Sequence, residues 1–220
     1  IFQDEVIKHR ADYGVALDGD GDRVILVDSD GNILDGDDLL YIMAFSNPNR
    51  AGPWGGVVGT KMSNFGLEDG LKKLGYKFIR ADVGDKYVSQ KLSEKGWLLG
   101  GETSGHIISK DLVSTGDGTI AALKVISSLM ILEKTPSEVL SNYNKRPQIN
   151  IAVPVKNKDV INDSSIQSAI SDAQSDITVD RVLVRPSGTE SKIRVMVEAT
   201  DENTAKKYAK DLSKLIESKL

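Results

Sequence analysis

Cysteine is absent from the 220 residues, which excludes disulfides and thiolate-bound metal at once. Histidine is nearly as scarce. His9 and His106 are too few for a multi-histidine zinc centre, so any metal here should be held by oxygen. A basic excess is also missing. The net charge of −4 leaves nothing in reserve to neutralise a phosphate backbone, and nucleic acid is not expected as a partner. No apolar run approaches the roughly 20 residues that span a bilayer, and the opening segment Ile1 to Val6 has no basic-then-apolar leader layout. A membrane partner is therefore not expected, and the cytoplasm is the default location. What remains is a globular composition, 40% hydrophobic and 27% charged, sufficient to bury a core in one or two domains.

The pattern along the chain reads as α/β followed by a small α+β domain. Tyr13 to Leu17 and Val24 to Val27 are strand-like. Asp28 to Asn32 is a turn, and Ile33-Leu34 completes a hairpin. Helical periodicity runs from Asp37 to Phe45, and Ser46 to Gly56 is a loop. Strands and helices then alternate: strand 56–60, helix 64–74, strand 77–81, helix 86–95, strand 97–100, helix 119–132. That order predicts a mixed sheet covered by helices. A polar stretch near 137–149 marks a boundary. Beyond it the pattern predicts strand 149–155, helix 163–174, strands 179–184 and 192–199, and helix 201–219, an antiparallel sheet with helices on one face.

Three loops carry chemistry. In the first, Asp18, Asp20 and Asp22 alternate with Gly19 and Gly21 between two apolar strands. Alternate residues of an extended strand point one way but sit about 7 Å apart; the glycines let the backbone curl so that three carboxylates converge. Such a set suits a hard cation such as Mg²⁺, and Arg23 beside it offers a planar fork for a phosphate oxygen. An EF-hand would need Gly at its sixth position and Glu at its twelfth. Counting from Asp18 these are Arg23 and Ser29, and from Asp28 they are Ile33 and Leu39, so both frames fail. A solvated acidic turn is the plainer alternative.

The second loop, Gly100 to His106, follows a short apolar strand. Glu102 and Ser104 suit adjacent sugar hydroxyls, and His106 suits proton transfer or donation to a phosphate. A hydrolase reading of Ser104 and His106 has no support in their spacing, because a nucleophile and its base meet through tertiary geometry. In the third loop, Arg185-Pro186-Ser187-Gly188-Thr189-Glu190, Arg185 supplies charge and Ser187 and Thr189 supply hydroxyls. Amides freed by Gly188 can line an anion nest, with Arg194 close by. An ordinary hairpin turn with a solvated arginine is the alternative.

Together the three motifs, in this order and over essentially the whole chain, resemble the α-D-phosphohexomutase superfamily. The resemblance implies Asp18, Asp20 and Asp22 as Mg²⁺ ligands. Arg23 would lie at the transferring phosphoryl group with His106 near the catalytic centre, and Glu102 and Ser104 would read the sugar. Arg185, Ser187, Gly188, Thr189 and Arg194 would hold the non-reacting phosphate of a hexosamine phosphate substrate. It further implies a mutase reaction, 6-phosphate to 1-phosphate, through a bisphosphate and an enzyme phosphoserine outside this chain. Residues 1–36 would be the end of a second domain with the metal loop, 37–144 a third domain, and 145–220 a fourth. The segment alone is expected to be inactive. A non-catalytic sugar-phosphate-binding fragment is the alternative of a different class. Val83-Gly84-Asp85-Lys86 resembles the glucosamine branch, where mannose-type members tend to carry histidine at the position of Asp85; a neutral-hexose mutase is the nearer alternative. Two residues depart from the branch pattern: Thr103 stands where glutamine is usual, and Ser191 where proline is usual. The first bears on sugar reading and the second only on loop stiffness. Oligomeric state is not written in these residues.

Overall fold

The chain begins with a helix that the sequence pattern does not announce. α1 (Phe2–His9) is mostly polar, has no side-chain N-cap, and buries Val6. It is held by tertiary contact: Phe2 and Val6 lie against Gly14, and Gln3 Nε2 donates to the Gly31 carbonyl at 2.6 Å. The structure, a computed structural model, describes residues 1–188 and 190–219 and divides into two units, 1–144 and 145–220.

In the first unit β1 (Tyr13–Leu17), β2 (Val24–Asp28) and β3 (Ile33–Leu34) form an antiparallel sheet in that order. Asp28 shapes the second turn from within, its Oδ1 accepting the N–H groups of Asp30 and Asn32 while Gly31 takes φ +83°. α2 (Gly36–Ser46) opens on a reciprocal capping box between Asp35 and Asp38. It buries Leu39, Leu40, Tyr41, Ile42 and Met43 all round its circumference, as a helix must at the centre of a core.

β4 (Gly56–Thr60), α3 (Phe65–Lys73), β5 (Lys77–Ala81), α4 (Asp85–Lys95), β6 (Leu99–Gly101) and β7 (Ile107–Ser109) follow. The sheet order is β5-β4-β6-β7, with β4 parallel to β5 and β6, and β7 antiparallel to β6. This is the mixed sheet that the alternation predicts; β7 and the last element of the unit were not expected. α5 (Gly118–Leu132) starts at Asp117, whose carboxylate accepts the Ile120 N–H, and packs beside α2. α6 (Pro136–Leu140) lies in the stretch read as polar linker, and its cue was present: Thr135 and Glu138 form a capping box with Pro136 at the first turn. Trp97 covers Gly56 at the start of β4, and Trp54 lies under the Lys124 ammonium at 5.1 Å.

The second unit is an antiparallel sheet in the order β8-β10-β9, formed by β8 (Gln148–Pro154), β9 (Val179–Pro186) and β10 (Lys192–Ala199). Ile193, Val195 and Val197 alternate from β10 into a core shared with α7 (Ser164–Ser175) and α8 (Glu202–Glu217). Asp176 fastens these elements. Thr178 donates to it through hydroxyl and N–H at 2.5 and 2.9 Å, and the Tyr208 hydroxyl of α8 donates at 2.6 Å. The Thr178 hydroxyl, then that of Tyr208, hold its carboxyl down to about 2. A depressed folded value stabilises above the unfolded value and loses that contribution as pH falls through 2. Asp176→Asn is therefore expected to lower the thermal midpoint at neutral pH, the gap to wild type closing as pH approaches 2. Parallel midpoints from pH 7 to pH 2 would show that Asp176 contributes nothing specific.

Candidate active site

The parallel strands set the position of the site. β4, β5 and β6 end on one edge, and crevices outside the carboxyl ends of such strands are where α/β sheets bind ligands. The loop after β6 is Glu102 to His106. It meets the β1–β2 loop along the backbone: Val24 N–H donates to Gly105 C=O at 3.1 Å, and Arg23 and His106 form an antiparallel bridge.

The β1–β2 loop curls as the glycine spacing suggests. Gly21 takes φ +74°, its N–H donates to Asp18 C=O, and Arg23 N–H donates to Asp18 Oδ1 at 3.1 Å. Carboxylate oxygens of Asp18, Asp20 and Asp22 thereby all lie within 4.8 Å of one another. Burial pushes the Asp18 carboxyl up, but the Arg23 N–H, the Asp22 side chain and the Arg23 charge outweigh it and hold it below the ordinary carboxylate range. Asp22 Oδ1 is buried and has no hydrogen-bond partner among the described residues. Three converging carboxylates, one of which carries a buried oxygen without a donor among the described residues, fit a hard divalent cation. Arg23 Nε stands 3.7 Å from Asp18 and 3.8 Å from Asp22, and its side chain is half exposed. Asp18, Arg23 and Ser104 line one cavity of about 220 Å³ with Leu17 and Val24.

In the second loop Glu102 is half-buried and Ser104 exposed. Glu102 Oε1 accepts the Gly84 N–H at 2.9 Å, so the Val83-Gly84-Asp85 segment orients it. His106 is 3% exposed; its Nδ1 lies 3.1 Å from Asp22 Oδ2, and its Nε2 is buried without a partner among the described residues. Thr103 turns inward. Its hydroxyl donates to Asp37 Oδ2 at 3.1 Å, an oxygen that also accepts the Asn64 N–H at 2.7 Å. The residue that departs from the glucosamine pattern thus serves the scaffold. Sequence reading missed Asp37, although an acid inside an apolar helix invites the question of what it holds.

Gly105 has φ +93°, and a Cβ there would collide with the Val24 carbonyl that faces it. Gly105→Ala combines left-handed strain with a backbone clash, and is expected to cost about 2–4 kcal/mol. Chemical denaturation measures it; a loss under about 1 kcal/mol would mean the two loops separate easily.

In the second unit Arg185 and Arg194 face each other in register on β9 and β10. Burial, then the Arg194 charge, pulls the Arg185 pKa down, and Arg185 Nε is buried with no partner among the described residues. Two facing guanidiniums, one with an unused donor, have the chemistry to accept an anion. Ser187 is buried; its Oγ accepts the Glu190 N–H at 3.3 Å, which makes it a staple of the turn. Lys158, not foreseen, donates to the Ser187 carbonyl at 2.7 Å. Glu190 pairs with Lys192 and Arg194. Gly188 is exposed, and Thr189 lies outside the described residues.

An α/β unit with aspartate and Glu-x-Ser loops, and an α+β unit with an arginine loop, are the pattern of a phosphohexomutase. Residues 35–146 match the model of phosphoglucomutase/phosphomannomutase alpha/beta/alpha domain III, and residues 149–215 match that of the C-terminal domain. The chain belongs to this family. The phosphoglucosamine mutase of Cellvibrio japonicus is 46% identical over 100% of this chain and 50% of its own. That of Nitrosospira multiformis is 47% identical over 98% of this chain and 47% of its own. The chain spans about half the length of these curated relatives. The crystal structure of Aspergillus fumigatus N-acetylphosphoglucosamine mutase in complex with GlcNAc-6P and magnesium is 22% identical. It superposes with a TM-score of 0.77 over 92% of this chain and 51% of its own, a likeness of fold.

Proposed function

We propose that this chain carries the metal, sugar and remote-phosphate sites of a phosphoglucosamine mutase, interconverting glucosamine 6-phosphate and glucosamine 1-phosphate. The observation that carries the reading is the cavity where Asp18, Arg23 and Ser104 meet beside three converging carboxylates. The curated relatives point to the amino-sugar substrate. In the domain reading, residues 1–36 end the second domain, 37–144 form the third and 145–220 the fourth.

Asp18, Asp20 and Asp22 would hold Mg²⁺, which when bound neutralises charge developing on the transferring phosphoryl oxygens. Arg23 would grip one of those oxygens with its fork. Glu102, fixed by the Gly84 N–H, would accept from sugar hydroxyls, and Ser104 would donate or accept beside it. The phosphoryl group would pass from an enzyme phosphoserine, in a part of the family chain beyond these residues, to the free sugar hydroxyl. The P–O bond to serine breaks as that to the sugar forms. After the bisphosphate turns over, its other phosphate returns to serine. Two sugar orientations need a grip on whichever phosphate is not reacting, and Arg185 with Arg194 would provide it.

The test is isomerisation by the intact enzyme with Mg²⁺, comparing the 6-phosphates of glucosamine, glucose and mannose. Preference for glucosamine 6-phosphate is expected. Preference for a neutral hexose would reassign the substrate while leaving the mutase class in place.

A further inference from the structure

Lys158 belongs to none of the three motifs, yet its ammonium reaches across 29 residues of chain to donate to the Ser187 carbonyl at 2.7 Å. We infer that Lys158 is a positioning residue of the Arg185 loop: by holding that carbonyl it turns the Gly188 N–H outward as a donor to the remote phosphate. The inference rests on the phosphate reading of that loop given above.

One peptide group joins the two ends. The Ser187–Gly188 peptide is trans, so its C=O and N–H point in opposite directions. A cation on the carbonyl therefore leaves the N–H facing away from Lys158. That N–H donates to nothing among the described residues, and Gly188 is exposed, with room enough that a Cβ there would meet no atom within 4 Å. The hydrogen bond also draws charge from the carbonyl oxygen and makes the amide of the same group a stronger donor. Ser187 is buried, and its own N–H donates to the Lys192 carbonyl at 2.9 Å. With Lys158 on its C=O, both backbone groups of Ser187 are pinned. Lys158 is seated in turn: half-buried, it opens a 3₁₀ turn (Lys158–Asn162) whose Asn157 cap accepts the Asp159 N–H at 2.9 Å. Lys192 and Arg194 share the Glu190 carboxylate, whereas no carboxylate pairs with Lys158 among the described residues. A neutral donor would satisfy the Ser187 carbonyl as well. A further cation at a loop that already holds Arg185, Lys192 and Arg194 repels them and attracts an anion.

The experiment is nitrogen-15 NMR of the 220-residue chain titrated with glucosamine 6-phosphate. In the wild type the Gly188 amide proton should move downfield together with the Arg185 Nε signal. In Lys158→Met the affinity should fall about 10-fold, the worth of one charge-assisted hydrogen bond, and Gly188 should stop responding while Arg185 still does. Lys158→Arg keeps a charged donor for the carbonyl and is expected to restore the Gly188 response, with affinity within about threefold of wild type. A wild-type Gly188 amide that stays still while Arg185 responds overturns the inference and leaves the phosphate reading standing. So does a folded Lys158→Met that binds like wild type with its Gly188 amide responding. Absence of any response at Arg185 and Gly188 in the wild type overturns both.

Discussion

Asp20→Asn in an intact enzyme carrying this segment is expected to lower kcat by about 10²- to 10³-fold, with the thermal midpoint within about 2 °C of wild type. The two halves of that expectation have separate causes. Asp20 is exposed, and its carboxylate lies among those of Asp18 and Asp22, so its removal breaks no packing and relieves like-charge repulsion. Turnover, by contrast, would lose one of three anionic ligands to a charge-neutralising cation, and Asn supplies only a neutral carbonyl. Side-by-side kinetics and thermal unfolding check both halves. Wild-type turnover in the folded variant would remove Asp20 from the metal set, and a large fall in midpoint would make the loop structural.

Arg185→Ala is expected to raise KM for the sugar phosphate by about 10- to 100-fold, the worth of a charge-assisted hydrogen bond to an anion. Its effect on folding should be small, since Arg185 and Arg194 face each other in register and each is relieved when the other goes. Arg185→Lys distinguishes charge from geometry. Lysine keeps the charge but not the planar fork, so most of the loss should remain. Recovery of wild-type KM by lysine would mean the site needs only a positive charge. An unchanged KM in the alanine variant would remove Arg185 from the phosphate site.

What could be read from the sequence was what is local. The apolar stretch that became α2 and the Asp28–Asn32 turn carry their instructions within a few residues. The alternation from β4 to α5 does so as well. α1 carries only a weak one, acids in its first turn and bases in its last, and its one buried side chain, Val6, is covered by tertiary contact with Gly14 among its neighbours. α6 did carry one, in Thr135, Pro136 and Glu138, within a stretch whose polarity read as linker. The site divides along the same line. Three carboxylates around a glycine-kinked loop are visible as residue types at a spacing. The contacts of Thr103 and His106 are not, because Asp37 and Asp22 reach them across 66 and 84 residues.

Both tryptophans, Trp54 and Trp97, belong to residues 1–144, and residues 145–220 hold one aromatic side chain, Tyr208. Tryptophan emission from this chain therefore watches one unit only. Circular dichroism sees both, through helices and strands in each. Unfolding curves from the two signals should coincide if the units melt together and part if they do not. The placement of two indoles thus makes each unit's stability measurable within the undivided chain, with no label added.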